Sequence, residues 1–238
     1  MTQQSTTKKP RTKRYLFVLA GLGLVSAWSI ADYRSWVSLG EGGLPHNLQG
    51  WGTMNAVRVM TLNRDPLDTS SMDTLIGNSS DLSLLQDLPT REGKRPTIAR
   101  HPIPHRQLDQ LSNNAVKAQT RAVFNTLVNE NTQLLSVEVS QYEKHNNAIW
   151  LAYPESGNQD TKNNGEIAHF HPSDGSIHVI LSPSDAKIAV ERGWGQFHPL
   201  AGHDFLPAPT YVLLYAPRNE AENEVAKTIV ASAIQYAQ

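Results

Sequence analysis

Three histidines fall within ten residues of this chain, at His169, His171 and His178. Imidazoles change charge near neutral pH, so such a group can act as general base and acid. Neutral imidazoles with fixed tautomers can also hold a divalent metal ion, with a His-x-His pair on one strand and a third ligand opposite. Hydrogen-bonded, inert histidines are the third reading. Metal binding ranks behind acid–base chemistry because no carboxylate clearly completes a ligand set. Strand alternation aims Glu166 at the opposite face, and Asp174 lies in the intervening turn.

Two further stretches carry chemistry. The run Gly193-Trp194-Gly195-Gln196-Phe197-His198-Pro199 reads as an irregular loop of the kind that hosts function. Trp194 is a platform for a flat substrate or a core plug; His198 is a fourth imidazole or a backbone cap. Tyr215-Ala216-Pro217-Arg218 joins a strand to a helix, and Arg218 near that helix start suits an anion or enolate. Solvation is the plainer role for Arg218, and equally for Arg91 and Arg95.

Whether the histidines meet depends on the elements that carry them. Glu166–His171 and Ser176–Ser182 read as strands separated by Pro172-Ser173-Asp174-Gly175, strong turn chemistry. A four-residue loop pairs His169 with His178 and His171 with Ser176. One face then carries Ile167, His169, His171, His178 and Ile180; the other carries Ala168, Phe170, Ile177, Val179 and Leu181. A two-residue turn keeps this clustering, and a three-residue turn breaks it. Gln107–Glu130 has a helical stripe, and Leu134–Tyr142, Ala148–Tyr153 and Thr210–Ala216 read as strands. Ser182 caps a helix with Pro183 in its first turn and Gly193 at its end. Asn219 opens a final helix to about Tyr236 in a capping-box pattern. The expected fold is α+β, a mainly antiparallel sheet packed with helices.

There are 21 Lys+Arg against 22 Asp+Glu and no cysteine. This leaves no overall field for nucleic acid and excludes disulfides and thiolate chemistry. Mean hydropathy is -0.41, which excludes a polytopic membrane protein. Residues 1–14 form a basic tail expected to be disordered. Tyr15–Ala31 is apolar and spans about 25 Å as a helix, enough for a thin bilayer such as the endoplasmic reticulum. The basic flank favours a retained single-pass anchor; cleavage after Ser29-Ile30-Ala31 and a buried soluble helix are the alternatives. Residues 32–86 read as a membrane-proximal segment and linker, with 32–52 irregular and 61–83 a polar loop that includes the sequon Asn78-Ser79-Ser80. The globular domain covers 87–238. Nucleophile-elbow, phosphate-loop, dinucleotide and zinc-protease motifs do not occur.

The stretches LPTREGKRPTI (88–98), EIAHFH (166–171), GWGQFHPLAG (193–202) and LYAPRNEAE (214–222), with the His178 strand between them, resemble the fungal luciferase family. DYRSW, GLPHN and GW after the anchor are similar to it as well. The resemblance implies a membrane-associated oxygenase that uses O₂ as co-substrate and needs no organic cofactor. It implies O₂ addition to an electron-rich hydroxy-pyrone of the 3-hydroxyhispidin type, a peroxide intermediate, decarboxylation and light. In that frame His169 or His178 deprotonates the enol, with His171 counted among the catalytic residues. Arg218 and His198 stabilise the oxyanion, and Trp194, Tyr215 and Arg91 contact the lipophilic substrate. The turn Pro172–Ser176 has the form of non-luminous relatives. That keeps two other readings open: an enzyme on another lipophilic enol or polyketide, and a membrane-tethered binding module with structural histidines.

Overall fold

Six strands form one antiparallel sheet: β1 (Leu135–Val139), β2 (Asn147–Leu151), β3 (Glu166–Phe170), β4 (Ile177–Ile180), β5 (Gly195–Phe197) and β6 (Tyr211–Leu214). Their spatial order is β1-β2-β3-β4-β6-β5. The computed structural model describes residues 11–77, 83–153, 165–206 and 208–238, with side chains from residue 16 onward. The sequon Asn78-Ser79-Ser80 and most of the basic tail lie outside the described residues. The chain divides into two units, residues 1–38 and 39–238.

The first unit is helix α1 (Arg11–Val37), 27 residues long, which continues past Ala31. Its stretch Leu16–Val37 is long and apolar enough to cross a membrane, a test that a signal sequence also passes.

In the second unit, helices α4 (Asn114–Glu130), α5 (Pro183–Glu191) and α6 (Glu220–Ala237) pack with the sheet into α+β architecture. The main core lies on the sheet face that carries Ala168, Phe170, Ile177, Val179 and Leu181, against Ala186, Ala189, Ile229 and Ala233 of the helices. A smaller apolar cluster on the other face joins Ile180, Leu200, Leu206 and Tyr211. Side-chain alternation thus divides the sheet as expected from Ala168 onward, while Ile167 lies in the main core rather than on the histidine face.

The local signals behave as their chemistry requires. Ser182 Oγ accepts the Asp185 amide at 3.2 Å with Pro183 in the first turn of α5. Gly193 beyond the helix takes a left-handed φ of +84°. Asn219 Oδ1 accepts the Glu222 amide at 2.9 Å, but Glu222 does not return the bond. Its carboxylate is held by Arg218 and Arg91. Asn219→Ala is expected to cost about 1 kcal/mol, read as a lowered urea midpoint; an unchanged midpoint would show the cap to be idle.

Two expectations are corrected. Residues 32–86 are not an irregular segment and linker: helices α2 (Leu48–Val59) and α3 (Ser70–Gly77) form there. Asn47 caps α2 by accepting the Gln49 and Gly50 amides, and Met54 and Met72 are buried. The buried carboxylate of Asp185 fastens the chain that follows, accepting Ser83 Oγ and the amides of Leu84 and Leu85 at 2.7–3.0 Å. The Gln107–Glu130 stripe begins its helix only at Asn114, where the Asn113 side chain accepts the Val116 amide. Gln110 sits at a left-handed φ of 52°, and the Gln107 amide is drawn away to Asp174 Oδ2 at 2.7 Å.

Candidate active site

The β3–β4 hairpin pairs His169 with His178, and the His171 amide bonds the Ser176 carbonyl at 2.9 Å. This is the four-residue-loop register. Gly175 closes the turn at φ +89°, its amide bonded to the His171 carbonyl. A Cβ there would sit 2.5 Å from Ser112 Oγ, so glycine is required both sterically and conformationally. His169, His171 and His178 share the face with ring centroids 4.6–5.1 Å apart. His198 joins them at 5.4 Å from His178.

A fifth imidazole completes the cluster. His105 lies on an irregular segment, its ring stacked 5.5 Å from His178 and edge-on to His198 at 4.7 Å. The sequence signal that could have found it is HPIPH (101–105), a proline-stiffened loop presenting two histidines. Arg106 anchors this segment through two bonds to Glu143, at 3.1 and 2.5 Å, with both side chains buried. It also donates to the carbonyls of His105 and Glu41.

Glu166 overturns its expected orientation. Trp150 on β2 pairs with Glu166 while Ile149 pairs with Ala168, so Ile167 is an extra residue, a β-bulge. Ile167 drops into the main core and Glu166 turns to the histidine face. Its Oε1 accepts from His169 Nδ1 at 2.7 Å and from Ser140 Oγ at 2.8 Å, and its Oε2 accepts the Gln141 amide at 2.8 Å. So many donors fit an ionised carboxylate.

The hydrogen bonds then fix the tautomers in one direction. Because Glu166 only accepts, His169 carries its proton on Nδ1 and offers its Nε2 lone pair to His178 Nδ1–H at 3.2 Å. His178 Nε2 accepts from His105 Nδ1–H at 3.3 Å. His105 Nε2 faces the Gln196 amide at 3.4 Å, and Gln196 Oε1 accepts the Tyr215 hydroxyl at 3.1 Å. With one proton on each ring, the result is a relay of imidazoles ending on a carboxylate. Burial is the leading cause that holds His105, His171 and His178 well below the usual imidazole range, with neighbouring charges adding to it. Burial likewise lowers His198 to about 3, against an opposing bond to the Pro102 backbone.

These shifts predict acid sensitivity. An imidazole with a depressed folded value stays neutral while the unfolded chain takes up a proton below about pH 6.5. The stabilisation is therefore complete above that pH and declines as pH falls, by about 1.4 kcal/mol per unit for each such histidine. Denaturant midpoints at pH 7.5 and about pH 5.5 should differ markedly; equal midpoints would refute the neutral cluster.

A cavity of about 260 Å³ opens onto this face, floored by His105, His178, His198 and Tyr211 and walled by Leu44, Ile103, Leu200 and Leu206. Its volume is just below the about 300–1,000 Å³ of small-molecule sites. Tyr211 stacks on His178 with centroids 4.8 Å apart. Burial, with Glu166 nearby, raises its phenol well above the usual range, so it stays protonated. Its hydroxyl is buried and has no hydrogen-bond partner among the described residues, an unused donor beside the cavity floor.

The other expected site residues lie apart from this floor. Trp194 is buried in the main core, its indole N–H bonded to the Pro89 carbonyl at 2.5 Å. Tyr215 sits at the far end of the relay, receiving Arg95 at 3.4 Å. Arg91 stacks over the Tyr215 ring at 5.6 Å and pairs with Glu222 at 3.4 Å. Arg218 grips the same carboxylate and the Glu92 carbonyl.

An antiparallel sheet whose buried imidazoles floor an apolar cavity offers a candidate small-molecule site with acid–base capacity. A family model described as "Luciferase domain" matches residues 164–233, the segment holding four of the five clustered histidines. Curated relatives named "Luciferase" are 32% identical: one from Neonothopanus nambi over 94% of this chain and 88% of its own length, and ones from Armillaria ostoyae and Armillaria mellea over 86% and 80%. The chain belongs to this fungal luciferase-domain family. No solved structure matches it significantly.

Proposed function

We propose that the protein is a luciferase-type oxidoreductase that adds O₂ to a flat, lipophilic enol held in the histidine-floored cavity. The carrying observation is the unidirectional relay from His105 through His178 and His169 to Glu166. The enolate, not the enol, is the form that readily gives an electron to O₂, so the first requirement is a base. An imidazole kept neutral by burial is available as one at neutral pH. A proton accepted at His105 Nε2, where that ring faces Gln196, moves one step along each imidazole and reaches Glu166. The Tyr211 hydroxyl is placed to donate to the developing oxyanion, and the apolar walls exclude water from reactive intermediates. The enolate itself supplies the electrons, so the chemistry calls for no organic cofactor. Electron transfer and carbon–oxygen bond formation give a peroxide, whose collapse with loss of CO₂ is the energy-releasing step.

The relatives' names and the motif resemblance support a 3-hydroxyhispidin-type luciferin. The turn Pro172–Ser176 favours a second reading, the same oxygenation on a related enol without light. Mixing detergent-solubilised protein with 3-hydroxyhispidin and air, while recording photons, O₂ uptake and CO₂, tests both. Photons with CO₂ support the luminous reading, and gas exchange in the dark supports the second. Absence of all three signals would sink the hydroxy-pyrone assignment. Helix α1 is proposed to anchor the chain as a single pass, in a thin membrane such as the endoplasmic reticulum. Retention in the membrane pellet after alkaline carbonate extraction is expected; release would refute the anchor.

A further inference from the structure

We propose that His169, His171 and His178 form a binding site for a divalent first-row metal ion. The geometry starts from one ring nitrogen of each residue, all within 4.8 Å of one another. His178 Nδ1 and His169 Nε2 are 3.2 Å apart, close to the about 3.4 Å that separates two nitrogens on one tetrahedral ion with bonds near 2.1 Å. This spacing suits either a shared proton or a shared ion.

His171 supplies the independent observation. It is fully buried, and its Nδ1 bonds Ser176 Oγ at 2.8 Å. Ser176 in turn donates to Asp174, at 2.9 Å, so the His171 proton is fixed on Nδ1. Its Nε2 is then a bare lone pair, and it has no hydrogen-bond partner among the described residues. Buried polar atoms in native proteins are almost always satisfied, and an orphan of this kind marks a missing donor or ion. Glu143 Oε1 stands 3.8 Å from that nitrogen, too far for a hydrogen bond and within reach of a common ion.

The supporting shell is also that of a metal site. Metal-bound histidines characteristically donate their other N–H to a carboxylate or other acceptor, which fixes the tautomer and the ring orientation. Glu166 does this directly for His169, and Asp174 does it through Ser176 for His171. Those two carboxylates offset a dication, while Arg106 and Glu143 neutralise each other. With imidazole ligands, a carboxylate at hand and no thiolate in the chain, the site selects zinc, iron, cobalt or a similar ion over calcium or magnesium. The alternative trio His105, His178 and His198 is less fit. His198 Nδ1 accepts the Leu200 amide and its ring also bonds the Pro102 backbone, leaving it no lone pair.

This site goes beyond the proposed reaction, and its test needs no substrate. A bound ion takes the His169 lone pair that the relay uses, so the loaded site and the continuous relay are alternative states. The experiment is titration of Co²⁺ into the full-length, detergent-solubilised, chelator-treated protein, followed by visible ligand-field absorption and thermal melting. One equivalent should produce the absorption of a nitrogen-ligated ion, raise Tm and be displaced by Zn²⁺. Glu166→Gln should weaken the affinity about 10–100-fold, and His171→Asn should abolish the signal. His145→Ala and His203→Ala, which remove histidines outside the cluster, should bind like the parent. Absence of stoichiometric absorption in the parent protein would overturn the site, and so would full binding by His171→Asn. Neither result depends on whether the protein turns over a hydroxy-pyrone.

Discussion

His178→Ala should lower turnover at least about 100-fold, the usual scale of a lost general acid–base group. His178 occupies the centre of the relay, bonded to His169 on one side and His105 on the other, with its ring under Tyr211. Its removal disconnects the cavity from Glu166 and leaves both neighbours with an unpaired nitrogen. His169→Ala should fall comparably. His171→Ala should lose turnover through the floor it packs rather than through the relay, which does not pass through it. Oxygen uptake with 3-hydroxyhispidin is the measurement, with His203→Ala as the control outside the cluster. Unchanged turnover in all three cluster variants would remove the histidine face from the mechanism.

The second large effect is on stability. Arg106 and Glu143 form a doubly bonded ion pair with only 3% and 6% of their side chains exposed. Removing one partner strands a buried charge, and such truncations cost about 3–5 kcal/mol. That is a large share of the about 5–15 kcal/mol by which domains are stable. Glu143→Ala should therefore shift the urea midpoint steeply. The double variant Arg106→Met with Glu143→Leu should recover much of the loss, because neither charge remains to be desolvated. A mild effect for the single change would mean that water reaches the pair. The functional consequence is local, since Arg106 adjoins His105 and holds that backbone through the His105 carbonyl.

The hairpin was legible from sequence because its determinants are local. Turn chemistry at Pro172–Gly175 and alternation in two short strands cluster the three histidines for a four- or two-residue loop, and the structure selects the four-residue register that pairs His169 with His178. The caps at Ser182 and Asn219 were legible for the same reason. What escaped depends on contacts distant in sequence. His105 reaches His178 across 73 positions, from a segment with no periodicity to flag it. Arg106 and Glu143 are likewise joined only by the fold. Helix α2 hid behind glycines at Gly50 and Gly52, which argue against a helix until Asn47 caps it and Met54 finds a core. Glu166 failed for a subtler reason: alternation was applied through a residue that does not alternate.

That residue, Ile167, is a parity switch. Every position on β3 after it keeps the expected facing, and the position before it is inverted. Deleting Ile167 would leave the ladder continuous with Glu166 still opposite Trp150 and on the histidine face, so the carboxylate beneath His169 would be kept and only the core contact of Ile167 lost. Among members of this family, a single-residue gap at this point would therefore preserve the proton-accepting end of the histidine face while thinning the core behind it. Alignments that absorb such a gap elsewhere in the strand would misplace the carboxylate relative to the histidines.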